Sequence, residues 1–217
     1  MIIGKRLNLE EFRAIVEGKA KIDIDDEVKK TVVECFDFLE DFSKDKVIYG
    51  INTGFGPMSQ WRIPDAHLIE LQYNIIRSHS TGAGEPLPAI YVRASMLSRL
   101  MTFLQAHSGV NFQTCRLLVE FINREIYPLI PQHGSVGASG DLVQLAHVAL
   151  ALIGEGEVFY KGERRDTAEV FAELGLEPLK MYIREGLAIT NGTAVMTGIG
   201  LVNLLDAKRL MEWSLKA

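Results

Sequence analysis

Residues 141–153 limit the possible folds of this chain more than any other segment. After Asp141 the segment is nearly all apolar, and Gly154 follows it directly. A glycine in that position is typical of a helix end, and a helix that is apolar on every side is usually buried. We therefore expect a mainly α-helical fold in which this helix is buried.

Apolar residues recur at helical spacing over most of the remaining chain. Val28, Val32 and Phe36 form one such stripe, and Asn8 with Glu11 has the pattern of a capping box that opens a helix. The expected helices are one after Asn8, those over residues 25–42, 91–107, 113–126 and 167–174, one from Pro64, and one from Thr193 onward. Residues 157–164 predict a small β-hairpin that turns at Lys161 and Gly162. No change in composition marks a linker, so residues 1–217 are expected to form one domain.

Composition and charge exclude several classes of function. Lys and Arg number 23 against 28 Asp and Glu, and the resulting net charge of −5 lacks the basic footprint of a nucleic-acid-binding protein. No apolar run reaches the roughly 18 residues of a membrane span, and residues 1–10 lack the apolar core of a signal peptide. Cys35 and Cys115 stand far apart, which is typical of a reducing compartment and predicts a cytoplasmic protein without disulfides. The five histidines show no metal-binding spacing, so we expect no metal site.

The loop before the apolar helix, residues 134–141, carries the residues with the most specific chemistry. Gly140 has no side chain, so its amide nitrogen can approach the carbonyl carbon of Ala138 and close a five-membered ring. Loss of water from the ring and from the Ser139 hydroxyl would leave an exocyclic methylidene, which is strongly electrophilic. Asp141 is placed to assist proton movement and to cap the helix that follows.

Other interpretations of this loop remain open from the residues alone. A serine hydrolase would need Gly-x-Ser-x-Gly after a strand, and a phosphate-binding loop would need a lysine after the glycines. Neither pattern is present around Ser139. On residues 138–141 alone, an ordinary turn into a helix is the better interpretation.

Three longer segments resemble the aromatic amino-acid ammonia-lyase family. Residues 134–142 are similar to the signature of that family, residues 49–56 to its catalytic tyrosine loop, and residues 185–193 to a third family segment. The segments occur in the family's order, and the resemblance covers essentially the whole chain. The family contains histidine, phenylalanine and tyrosine ammonia-lyases and the related aminomutases. The resemblance implies an ammonia-lyase-like helical fold and a carbon–nitrogen lyase activity.

The resemblance also implies a role for individual residues. Ala138, Ser139 and Gly140 would form the family's built-in prosthetic group, 4-methylidene-imidazol-5-one, so that no external cofactor is needed. Tyr49 would remove the β-proton of the substrate, and because free tyrosine loses its proton only near pH 10, that role requires an environment that favours the phenolate or an alkaline pH. Asn191 would form a hydrogen bond near the ring or the substrate amine. The residues implied to support the two loops are Gly56, Asp141 and Leu142.

Ser78 and His79 match the pair of residues that meets the substrate side chain in the family. This pair resembles that of histidine ammonia-lyases, and it also occurs among tyrosine-acting bacterial members and tyrosine aminomutases. A histidine at this position can form a hydrogen bond with an imidazole or with a phenol hydroxyl. The resemblance therefore implies conversion of histidine to urocanate or of tyrosine to p-coumarate and disfavours phenylalanine. An aminomutase and a non-catalytic truncated fragment are the alternatives.

The chain is less than half as long as the usual members of this family. The resemblance implies that it ends at Ala217 inside a long bundle helix, before the central helical bundle is complete, whether by truncation or in a naturally short product. Family members form tetramers whose active sites draw on more than one subunit, so a homo-oligomer that binds a small aromatic amino acid is expected, without a nucleic-acid or membrane partner. The leucines of the last helix, which should lack partners and drive association, are Leu201, Leu204, Leu205 and Leu210.

Overall fold

Nine α-helices carry most of the chain in a computed structural model that describes every residue from 1 to 217. The helices are α1 (Leu9–Val16), α2 (Asp26–Phe42), α3 (Leu68–His79), α4 (Ala89–Phe103), α5 (Phe112–Arg124), α6 (Leu142–Leu152), α7 (Thr167–Leu174), α8 (Glu185–Thr190) and α9 (Ala194–Ser214). None of them is both long enough and apolar enough to cross a membrane. The prediction of a mainly α-helical fold is confirmed.

Three small sheets pair segments that lie between the helices. The strands are β1 (Ile2–Ile3), β2 (Asp23–Ile24), β3 (Ala83–Pro86), β4 (Tyr127–Pro128), β5 (Pro131–His133), β6 (Glu157–Tyr160) and β7 (Glu163–Asp166). β1 pairs with β2 in parallel, β3 pairs with β5, and β4, β6 and β7 form one antiparallel sheet. The predicted hairpin is confirmed as β6 and β7, and Lys161 and Gly162 both have positive φ, which matches the twist of a tight two-residue turn.

The core forms around α4 and α6. α6 is buried as predicted, and it packs against α3 and α8. α4 packs against α9 and α5, and the backbones of α4 and α9 approach closely because a Cβ atom at Gly198 would lie only 2.6 Å from the backbone of Ala94. The capping box of α1 is present, with the Asn8 and Glu11 side chains each accepting the other's backbone N–H.

Several predicted boundaries are wrong. The helix expected over residues 91–107 begins at Ala89, directly after Pro88, and ends at Phe103, because Ala106 has a left-handed φ of 59° that no helix continues through. Leu201 and Leu205 are not without partners, since both pack against the core. Leu204 and Leu210 are exposed as expected.

Candidate active site

A cleft of about 480 Å³ brings together two of the predicted site residues, Tyr49 and Asn191. The tyrosine loop, α4, α8 and the beginning of α9 form its walls. Its other lining residues are Ser98, Arg99, Thr102, His107, Ser108, Arg184, Leu187, Ala188, Gly192, Thr193, Ala194 and Thr197. The cleft therefore combines one phenol, one side-chain amide and two arginines, and most of its lining residues are not hydrophobic.

Tyr49 is half exposed at the edge of this cleft. The backbone N–H of Gly56 donates to the Tyr49 Oη at 3.2 Å, and the Phe55 ring lies edge-on at 6.1 Å between centroids. A donor at that position stabilises negative charge on the phenol oxygen. Gly56, predicted as a supporting residue, is thus in direct contact with Tyr49.

Gln72 of α3 ties the tyrosine loop to α8. It is fully buried, its Nε2 donates to the carbonyl of Gly50 at 3.2 Å, and its Oε1 accepts from the N–H of Leu187 at 3.3 Å. A buried amide with both ends paired holds its neighbours at a fixed separation. Gln72 therefore sets the position of the loop that carries Tyr49 relative to the helix that leads to Asn191.

Gly140 lies directly against the turn that follows Asn191. The N–H of Asp141 donates to the carbonyl of Gly192 at 2.7 Å, and a Cβ atom at Gly140 would lie 2.1 Å from that carbonyl oxygen. Gly140 has a φ of +84°, so the backbone conformation and the close approach both require glycine. The predicted electrophile loop is thus joined to the cleft through the pair Gly140 and Gly192.

The atoms that would close the ring are unengaged. The Gly140 N–H donates no hydrogen bond and the Ala138 carbonyl accepts none. Ala138 and Ser139 are exposed and lie outside the lining of the cleft. Neither of the two groups would therefore have to give up a hydrogen bond of its own for the ring to close.

Asp141 caps a different helix from the one predicted. It does not bond the N–H groups of α6; its Oδ2 instead accepts from Val195 and Met196, at 2.9 Å each, in the first turn of α9. The first turn of α6 is capped by Ser135, whose Oγ accepts from the Val143 N–H at 3.0 Å. Asp141 lies next to Gly192, just before α9. The free N–H groups at the start of α9 are therefore nearer to its carboxylate than those of α6.

Leu142 and Gln144 hold the other side of the loop. Leu142 is the first residue of α6 and is partly buried. Gln144 is buried, its Nε2 donates to the Gln132 carbonyl at 3.3 Å, and its Oε1 accepts from the Ser135 hydroxyl. Gln144 thus connects the strand before the loop to the helix after it.

Ser78 and His79 lie at the end of α3 and not in the cleft. The Nδ1 of His79 lies 2.9 Å from the Ile75 carbonyl and 3.1 Å from the Ser78 Oγ, and the tautomer that donates from Nδ1 to the carbonyl leaves Nε2 as an acceptor. The pairing of β3 with β5 sets Ala83 opposite His133, directly before the loop of residues 134–141. This small sheet therefore pairs the segment that follows the predicted substrate pair with the strand that precedes the predicted electrophile loop.

Two buried charges near the cleft were not predicted from the sequence. Burial lowers the pKa of Arg99 to about 10, so it stays charged at neutral pH. Burial raises the pKa of Glu185 to about 7, and its carboxyl group accepts from the Asn111 N–H, the Tyr182 N–H and the Thr114 hydroxyl. A charged residue among apolar residues of a helix, such as Arg99 between Leu97 and Leu100, is the signal that marks such a group.

Arg184 is the second arginine of the cleft. It adopts a left-handed φ of 64°, and its Nε is buried without a hydrogen-bond partner. Unusual backbone conformations in residues other than glycine concentrate at functional sites. An arginine with a left-handed backbone and a buried, unpaired Nε thus lines the cleft beside the groups predicted from the sequence.

A model of the aromatic amino acid lyase family matches residues 7–217. A histidine ammonia-lyase from Staphylococcus aureus is 42% identical over 214 residues, which make up 97% of this chain and 42% of that enzyme. The structure of a tyrosine aminomutase from Streptomyces globisporus is similar over 93% of this chain and 38% of that one, with a TM-score of 0.87 and 37% identity. The structure of a phenylalanine aminomutase from Pantoea agglomerans is similar over 99% of this chain and 42% of that one, with a TM-score of 0.92 and 34% identity. This chain thus spans about two fifths of the length of these relatives.

Proposed function

Because this chain belongs to the aromatic amino acid lyase family, we propose that it carries the catalytic loops of an ammonia-lyase that acts on histidine or tyrosine. The observation that carries the proposal is the contact of Gly140 with the Gly192 carbonyl, which joins the electrophile loop to the cleft of Tyr49 and Asn191. Neither the fold nor the cleft alone would favour this chemistry over another. The proposal includes residues 1–217 as a single unit that contains both loops.

The residues of the loop fit the prosthetic group 4-methylidene-imidazol-5-one. Ala138 is small, Ser139 has a hydroxyl that can leave, and Gly140 has an amide nitrogen free of hydrogen bonds. When formed, the group supplies an electrophile for the substrate amine. No external cofactor is part of the proposal.

The chain's own side chains would position the substrate and move its proton. Tyr49 removes the β-proton, and the Gly56 N–H stabilises the phenolate that accepts it. Asn191, which lines the same cleft as Tyr49, presents its side-chain amide to the substrate amine. Ammonia then leaves and an α,β-unsaturated acid remains.

His79 lies outside the cleft of Tyr49 and Asn191, so in this proposal it meets the substrate from another copy of the chain. It favours histidine or tyrosine as the substrate rather than phenylalanine. In the tautomer whose Nδ1 donates to the Ile75 carbonyl, its Nε2 is an acceptor. An imidazole N–H or a phenol O–H can donate to that nitrogen, whereas a phenyl ring cannot. The similarity to a histidine ammonia-lyase and to a tyrosine aminomutase agrees with both substrates.

Two further parts of the proposal concern the surroundings of the enzyme. The free thiols of Cys35 and Cys115 favour a reducing compartment, and we place the protein in the cytoplasm. The exposed apolar side chains of α9 favour a homo-oligomer.

Product analysis tests this function. The purified chain is incubated with histidine and with tyrosine beside the Staphylococcus aureus histidine ammonia-lyase, and the products are separated by chromatography. We expect urocanate or p-coumarate, and loss of at least a hundredfold in rate for Tyr49→Phe, which keeps the ring but not the base. A β-amino acid would identify an aminomutase instead. A folded chain that releases neither product would contradict the proposal and favour a non-catalytic fragment.

A further inference from the structure

Arg99 is a buried cation that the proposed reaction does not use. Only 3% of its surface is exposed. Its Nε donates to the Ile189 carbonyl at 3.1 Å, and its Nη2 donates to the carbonyls of Ala188 and Asn191. These carbonyls lie at the C-terminal end of α8, where backbone oxygens have no partner within the helix and a positive charge is favourable.

The guanidinium also lies directly behind the turn formed by Asn191 and Gly192. A Cβ atom at Gly192 would lie 2.5 Å from Nη1 of Arg99, so a side chain at this position would displace the guanidinium. The carbonyl of the same glycine accepts from the Asp141 N–H and lies against Gly140. A continuous series of contacts therefore leads from Arg99 through a single turn to Gly140.

We propose that Arg99 is a positioning residue that holds Gly140, through the turn of Asn191 and Gly192, in the conformation required for ring closure. The inference rests on the proposed function. In the step it serves, the nitrogen of Gly140 bonds to the carbonyl carbon of Ala138. The Ala138 oxygen leaves as water with the Gly140 and Ser139 amide hydrogens, and the Ser139 hydroxyl leaves as a second water with its own Cα hydrogen. Arg99 touches none of these atoms and acts through the backbone that it binds.

Arg93 provides a matched control on the same helix. It is 7% exposed, and its Nη2 donates to the Ile122 carbonyl and to Glu125 at the end of α5. It is therefore a buried, carbonyl-bound arginine of α4 with no contact to α8. Loss of either arginine removes a buried charge from the core, but only loss of Arg99 releases the turn at Gly192.

The test compares Arg99→Met, Arg99→Lys and Arg93→Met with the unchanged chain. Intact mass measures the fraction that has lost two waters, and hydrogen exchange measures protection of the peptide over residues 134–142. We expect at least a tenfold lower processed fraction and at least tenfold faster exchange of that peptide for Arg99→Met, with little change for Arg93→Met. Arg99→Lys should recover part of both, because an ammonium reaches some of the carbonyls but lacks the planar fork.

Two outcomes separate this inference from the function on which it rests. If the unchanged chain keeps its full mass, the proposed function fails, and the exchange data alone then decide whether Arg99 holds the loop. If Arg99→Met matches Arg93→Met in both measurements, the inference is overturned while the function stands. Should Arg99→Met fail to fold, the Arg99→Lys variant supplies the same comparison against Arg93→Lys.

Discussion

A methyl group on Gly140 would lie 2.1 Å from the carbonyl oxygen of Gly192, whereas one on Gly137 would meet no atom within 4 Å. Both glycines have a positive φ, so they share the backbone strain that a side chain would bring and differ only in the contact. Ring chemistry alone already requires glycine at position 140. The structure adds a second and independent requirement at the same residue.

We predict that Gly140→Ala lowers the free energy of unfolding by about 3 kcal/mol or more and prevents loss of water from the loop. A left-handed backbone costs alanine about 1–2 kcal/mol relative to glycine. The added methyl group would also clash with the Gly192 carbonyl and displace that turn, which adds to the cost. Gly137→Ala should lose only the stability that the left-handed backbone costs, and its loop should still lose two waters. Urea unfolding and intact mass of the two variants check this, and equal behaviour of both would show that the contact with Gly192 is unimportant.

Between elements, Glu185 links the start of α8 to the start of α5. Its carboxyl group is 1% exposed and accepts three donors, two of which lie at Asn111 and Thr114. Burial raises its pKa to about 7 despite these donors. The folded chain therefore holds this proton more tightly than the unfolded chain does.

Stability should consequently fall as the pH rises from about 4.5 to about 7. Below this window the carboxyl group is protonated in both states; within it, only the unfolded chain has released the proton, which favours unfolding. Over this range the free energy of unfolding of the unchanged chain should fall by about 3 kcal/mol more than that of Glu185→Gln, which cannot ionise at this position. Urea unfolding across this range measures the difference, with Glu169→Gln on the exposed face of α7 as control. Parallel profiles for the unchanged chain and Glu185→Gln would contradict the prediction.

Helix capping illustrates what local sequence can and cannot predict. The pair Asn8 and Glu11 is correct because both partners lie within one turn of each other. Asp141 was expected to cap α6, and it caps α9 instead, because its partners are distant in sequence and only the close approach at Gly192 brings them near. The contacts of Arg99 could not be predicted for the same reason, because its carbonyl partners belong to a helix that was not predicted.

Over the whole molecule, patterning predicted the long helices and the hairpin, and it failed where pairing is long-range. β3 and β5 are short, and nothing within either strand indicates its partner. The cleft could not be predicted as a cavity, since its walls come from three separate parts of the chain. The residues proposed for the catalytic loops were identified through resemblance to a known family, and their mutual placement required the fold.

The surface of α9 gives a prediction for the molecule as a whole. Leu210 and Trp213 are 72% and 64% exposed on one helix, together with Met211 and Leu215. Apolar surface of this kind favours association. We expect concentration-dependent self-association in sedimentation velocity, and a shift to monomer when Leu210 and Trp213 are both replaced by Glu.

The replacement Phe38→Glu is the control for that experiment. Phe38 is 64% exposed on α2 and stacks only against Phe42. The substitution Phe38→Glu should leave the self-association unchanged. A monomer at every concentration, or equal dissociation by Phe38→Glu, would show that α9 is not the associating surface.

The mass of the intact, folded chain tests the central claim most directly. We predict a mass two waters below that of the printed sequence, with the deficit confined by peptide mapping to residues 134–142 and abolished in Ser139→Ala. A well-folded chain with the full mass of its sequence would contradict the account.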